Sequence, residues 1–205
     1  MAAKSDPRAN QKQRTRAAIV EAAARLLRDG KAPSVADAAK AAQVSRATAY
    51  RYFPTPEALH IEVAGVSPAY APVEEFVAAL DGGDAEARLR RFLQTFNSIA
   101  FDDEAQMRMA LKVYLDTWLA GAGAAPVREG RRMRWLEHVL EPARRDMPKA
   151  QWRRLQAALA LTIGADAMIV MKDVCKLDDD EAQDVLLWAA QALLRAGLSE
   201  APPAG

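Results

Sequence analysis

The sequence predicts an all-α fold, with a small N-terminal three-helix domain carrying a helix-turn-helix and a larger helical domain after it. Three observations predict this. Ala, Leu, Arg, Glu and Gln, all good helix formers, dominate the 205 residues. No stretch alternates with period two over Val, Ile or aromatic residues, as a half-buried strand would. Ten Gly and eleven Pro fall between the periodic segments as punctuation.

The first helix is expected from Gln11 to Arg28. Ile19, Ala22, Ala23, Leu26 and Leu27 recur at helical spacing there, and Gly30 stops it. A short second helix follows. Ser34 is its N-cap, Asp37 takes the acidic slot three residues on, and Val35, Ala38, Ala39 and Ala42 turn inward. After a turn at Gln43, Ser45 caps a third helix that must end before Pro54. Thr55, Pro56 and Glu57 are the N-cap, first position and acidic first turn of a fourth. Pro68 and Pro72 then break the chain, and the sequence divides into domains 1–60 and 61–205. Long helices are expected over Asp84–Phe101, Asp103–Ala120, Pro126–Asp146, Pro148–Val174 and Asp179–Ala196, before a frayed tail.

Composition excludes several classes. A hydrophobic content of 51% supports a true core, and 27% charged residues suit a soluble chain. Cys175 is the single cysteine, so no intrachain disulfide forms, which fits a reducing, cytoplasmic setting. The polar, basic start is unlike a signal peptide. The longest apolar run, Ala157–Met171, is interrupted by Thr162, Gly164 and Asp166 and is too short to span a membrane. The net charge of +1 conceals an asymmetry: eleven basic and five acidic residues give the first 60 positions +6, against −5 for the rest. Such an end suits a polyanion partner; a chance excess on solvated faces is the alternative.

The third helix, within "VSRATAYRYF", carries the most chemistry. Two short helices joined by a tight turn, after a longer one, is the arrangement that sets a recognition helix in the DNA major groove. Ala49 and Phe53 suit the apolar face. Arg46, Ala47 and Tyr50 share the outward face, flanked by Thr48, Arg51 and Tyr52. Arginine near the helix N-terminus can bond guanine O6 and N7 together, and Ala47 is small enough to meet a thymine methyl. Hydroxyls of Ser34, Thr48, Tyr50 and Tyr52 can reach phosphates, and the start of the second helix offers free N–H groups. The alternative for the two tyrosines is half-buried packing with wet hydroxyls.

The segments "TRAAIVEAAARLLRDG" and "PSVADAAKAAQVSRATAYRYFPTPEAL" resemble the DNA-binding domain of the tetracycline-repressor (TetR) family over residues 14–60. The resemblance implies an all-helical cytoplasmic homodimer. It implies a regulator, for most members a repressor, that a small molecule bound in the C-terminal domain releases from an operator. It also implies base contacts for Arg46 and Ala47 and phosphate contacts for Ser34, Thr48, Tyr50 and Tyr52. Two positions depart from the family's pattern. Gln43 stands where Gly is frequent, so glutamine must accept the turn conformation. Pro56 stands where Lys is usual, removing a phosphate anchor that Lys12, Arg14 or Arg16 could replace. Pro56 keeps a second reading open: a helical protein that binds small molecules or partners and has weakened DNA binding.

The C-terminal domain shows no catalytic constellation, no metal-ligand spacing and no cofactor loop, so neither an enzyme, a metal nor a cofactor is expected. Nothing near Cys175 marks a redox sensor. The last two helices are the most apolar. They are expected to form a four-helix bundle with those of a second copy, through Leu159, Ala165, Val185, Leu186, Ala189 and Leu193; an intrachain core is the alternative. Met107, Leu111, Tyr114, Trp118, Trp135, His138, Met168 and Met171 suit an adaptable apolar cavity for an effector, and equally a core. Asp166, odd in an apolar helix, is expected either at the dimer seam or against a polar or cationic ligand group. The basic residues Arg131, Arg132, Arg134, Arg144 and Arg145 read as a solvated face or, in the minority reading, an anion site.

Overall fold

The computed structural model describes residues 7–31, 33–65, 70–119, 130–145 and 147–199. Among these are eleven α-helices and no strand. The chain divides into two compact units. One comprises Met1–Ser67 and Ala105–Ala120, the other Pro68–Glu104 and Gly121–Gly205. The expected helix ends at Ala120, Pro126 and Asp146, and nearly all of the tail, lie outside the described residues.

In the first unit, α1 (Pro7–Arg28), α2 (Val35–Ala41), α3 (Arg46–Tyr52), α4 (Pro56–Gly65) and most of α7 (Glu104–Leu119) surround one core. Helix α1 begins earlier than expected and closes as the sequence implies. Gly30 adopts φ 76°, and the N–H groups of Gly30 and Lys31 return to the carbonyls of Leu27 and Leu26 at 3.0 Å. The core contains Ile19, Ala23, Val35, Ala38, Ala49, Phe53, Leu59 and Val63, and α7 adds Met109 and Val113. Burying a side chain the size of Phe53 or Leu59 contributes roughly 1.5–3 kcal/mol. Residues 105–119 thus complete the core of the N-terminal helices from more than forty positions downstream.

The second unit holds α5 (Tyr70–Ala78), α6 (Ala85–Asp102), α8 (Arg131–Val139), α9 (Lys149–Ala160), α10 (Ala165–Ile169) and α11 (Asp179–Ser199). Asp84 caps α6 by accepting the Ala87 N–H at 2.8 Å. Phe92, Phe96 and Trp135 form an aromatic cluster with ring centroids 5.8–6.1 Å apart.

Three expectations need correction here. Helix α5 runs through Pro72, which had been read as a break; Pro72 falls in the first turn, where no intrahelical N–H bond is lost, and Pro68 lies outside the described residues. Helix α8 stops at Val139, well short of Asp146. Pro142 cannot continue the ladder, and a 3₁₀ turn over Glu141–Ala143 follows. The single helix expected over Pro148–Val174 is broken at 161–164. Gly164 takes φ 102°, and the guanidinium of Arg132 occupies the break, donating to the Ala160 carbonyl at 2.8 Å and to Asp166 Oδ2 at 3.2 Å. Any Cβ on Gly164 would lie 2.3 Å from that guanidinium.

Beyond the break, α10 passes into a π-helical turn over Val170–Val174. Lys172 in this turn bonds Asp179 at the start of α11 and Glu104 Oε2 at 2.6 Å, with its ammonium 6.0 Å from the Phe101 ring centre. The bonds to Asp179 and Glu104 raise the lysine's pKa above its ordinary value, so it stays charged throughout the neutral range.

Candidate nucleic-acid interface

The turn between α2 and α3 forms as the capping residues dictate. Ala42 closes α2, and Gln43 adopts φ 57°, the left-handed conformation in which glycine would be unstrained. The Val44 N–H then returns to the Ala39 carbonyl at 3.0 Å, which fixes the entry into α3. Ser45 caps α3 by accepting the Thr48 N–H at 3.1 Å, and the two hydroxyls lie 2.8 Å apart. Phe53 ends the helix against Pro54.

Seven residues of helix therefore have two distinct sides. Ala49 and Phe53 are buried in the core. Arg46, Ala47 and Arg51 are exposed, and Tyr50 keeps 46% of its surface exposed. The outward face foreseen from the sequence stands free. Tyr52 is half-buried against the core, and the Arg51 guanidinium lies over its ring at 5.6 Å. The hydroxyls of Ser34 and Thr48 are already engaged: Ser34 caps α2, and the Thr48 hydroxyl bonds that of the α3 cap, Ser45. Ser34 both accepts the Asp37 N–H at 3.1 Å and donates to the Asp37 carboxylate. The start of α2 thus carries an acidic side chain of its own, where the sequence reading placed free N–H groups.

Helix α4 braces this arrangement through three links. His60 Nε2 lies 2.9 Å from the Pro33 carbonyl, just before the α2 cap. Glu62 pairs with Arg16 of α1 at 2.6 Å. The Val63 carbonyl accepts from Gln106 Nε2 of α7 at 2.9 Å. None of these links was found in the sequence. His60 and Gln106 bond backbone carbonyls 27 and 43 positions away, and no local pattern encodes such a pairing. Arg16 also covers the Phe53 ring at 5.6 Å, so of the three cations offered as replacements for the lost anchor, Arg16 is engaged, while Lys12 and Arg14 are exposed. At the start of α4, Thr55 Oγ1 accepts the Ala58 N–H at 3.2 Å. Its own backbone N–H, then the Thr55 hydroxyl, hold the Glu57 carboxyl below the ordinary range. Pro56, which carries no charge, is thus followed by a carboxylate at the start of α4.

The residues expected to line an effector cavity are split between the units. Met107, Leu111, Tyr114 and Trp118 share one face of α7, away from the Gln106–Met109–Val113 face that enters the first unit's core. Trp118 is largely exposed. In the second unit, Trp135 and Met168 are buried in the packed interior and Met171 is half-buried. The His138 side chain is exposed, and its backbone carbonyl accepts from buried Arg88 at 2.8 Å. Asp166 pairs within the chain with Arg132, which takes that arginine out of the solvated basic face as well. Of the residues expected at a dimer seam, Leu159, Ala165 and Leu186 are covered by the chain itself; Val185 is exposed, and Ala189 and Leu193 are half-exposed. Leu161 and Trp188, which the expected seam did not include, are both exposed.

Among the described residues, no group of His, Cys, Asp and Glu could hold a metal ion, and no helix is long and apolar enough to cross a membrane. No family model and no curated protein matches the sequence. Among solved structures, the chain is similar to a TetR transcriptional regulator from Rhodococcus sp. RHA1, with a TM-score of 0.63 at 16% identity over 96% of this chain and 100% of that one. The chain therefore has the all-α fold of that regulator.

Proposed function

We propose that this protein is a DNA-binding transcription regulator acting as a homodimer, with α3 read into the major groove of each half of a palindromic operator. The observation that carries this reading is the two-sided α3: Ala49 and Phe53 fix it to the core while Arg46, Ala47 and Tyr50 stand free. Arg46 and Ala47 meet base edges. Tyr50, Arg51 and Tyr52 meet backbone phosphates, with the hydroxyls of Ser34 and Thr48 lending what their bonds within the chain leave free. The likeness to a solved regulator supports the same reading. The regulator is a repressor, released when a small apolar effector engages the Met107–Leu111–Tyr114–Trp118 face of α7. Gel shifts against genomic fragments that include the gene's own upstream region test this: a discrete, salt-sensitive complex is expected, and uniform non-binding refutes it.

One observation favours the second reading, a helical binding protein with weakened DNA affinity. Helix α4 opens with Pro56, which supplies no charge where the related pattern has a cation, and with the ionised Glu57 beside it, which repels a phosphate. In that case the fragments would fail to shift while the purified chain still retained a small molecule, detectable by native mass spectrometry.

A further inference from the structure

Gln43 stands in the turn between α2 and α3 at φ 57°, where a Cβ is strained and glycine is not. The turn gives it no room to relax. The N–H groups of Ala42, Gln43 and Val44 are bonded to the carbonyls of Ala38, Lys40 and Ala39 at 2.9, 3.2 and 3.0 Å. The fold gains nothing from the side chain: it is exposed, and its amide bonds no other described residue. Strain that no contact within the chain explains points to a contact outside it.

Lys40 belongs to the same turn, through the bond to its carbonyl. It too is exposed, with no acidic partner among the described residues. Three positions after Gln43, the exposed Arg46 opens α3, at the end that enters the groove in the reading proposed above. The turn just before that end comes to the groove edge, beside a sugar–phosphate strand. Val44, partly buried against the core, fixes it there. A lysine brings a point charge and a glutamine amide two N–H donors, and both suit the oxygens of a phosphate. We infer that Lys40 and Gln43 together hold one backbone phosphate of each operator half-site, at the groove edge beside the bases met by Arg46. This inference rests on the proposed reading of α3 as the helix that enters DNA. It gives the chain a phosphate anchor in place of the cation that Pro56 does not supply.

Two variants of the full-length protein test this, by fluorescence anisotropy on a fragment the protein selects and on its single-base variants. Gln43→Gly relieves the strain, so it should fold more stably in urea and yet bind DNA about tenfold more weakly, alike on every sequence. Gln43→Asn, which keeps the amide and tolerates the left-handed backbone, should recover part of that loss. Lys40→Ala should lower the slope of log K against log salt by about one unit for each half-site. Binding by Gln43→Gly as tight as wild type, or a Lys40→Ala slope equal to wild type, would overturn the clamp. A Gln43→Gly loss confined to one base position would overturn it too, by moving the glutamine to a base edge. Arg46→Ala run in parallel separates the two claims: if it weakens binding while both turn variants bind as wild type, the clamp fails and the proposed function stands. A wild type that selects no fragment would overturn both.

Discussion

Arg46 and Tyr50 share one helix face but should answer to different parts of the DNA. Arg46 lies at the groove-entering end of α3, so Arg46→Ala should cost about 1–3 kcal/mol at the selected site and relax preference at one base position. Tyr50→Phe should weaken binding to every sequence alike, since it deletes a hydroxyl that reads only backbone. Fluorescence anisotropy against a site and its single-base variants separates the two, and equal losses on all sequences for Arg46→Ala would mean that it reads backbone instead. Gln43 offers a test of the fold apart from DNA. Its φ of 57° strains any residue with a Cβ, so Gln43→Gly should stabilise the protein by about 0.5–1 kcal/mol in urea titration. This residue-scale chemistry was the most legible in the sequence. Ser34, Ser45 and Thr55 cap the helices they were expected to cap, because a hydroxyl beside an orphan N–H is a local matter.

Elements were legible where their ends are local and obscure where a distant residue decides. The break at 161–164 is the clearest case. The run around it is apolar and reads as helix, and what holds it open is Arg132, about thirty positions upstream, bonded to Ala160 and Asp166. The isolated Gly164 was the one local signal. Gly164→Ala should therefore destabilise the fold by about 2–3 kcal/mol, through its left-handed backbone and the displaced guanidinium, and a melt unchanged from wild type would contradict this account. Helix α7 shows the same limit. Its periodicity is plain, yet nothing in a periodic pattern says that Met109 and Val113 complete the core of helices near the N-terminus. At the head of α4, exchanging a residue without an N–H for a cation should help DNA binding. Pro56→Lys should tighten the complex and steepen the slope of log K against log salt by about one unit, the mark of one added phosphate contact. No change in slope would show that the start of α4 does not approach the backbone.

The whole molecule brings two questions together: whether α3 enters DNA, and whether two copies do so at once. The first rests on the exposed Arg46–Ala47–Tyr50 face and the second on the exposed apolar side chains Leu161, Val185 and Trp188 of the second unit. The buried positions of Leu159 and Leu186 show why the sequence could not locate the seam. Apolar helices of equal strength serve an intrachain core or an interchain one, and only burial tells which side each residue takes. Hydroxyl-radical footprinting on a fragment recovered by selection with the full-length protein tests the central claim most directly. The account predicts two protected patches related by two-fold symmetry and centred about 34–36 Å apart, or a multiple of that spacing, and both weakened by Arg46→Ala. A single unsymmetric patch, or protection that Arg46→Ala leaves untouched, would contradict it.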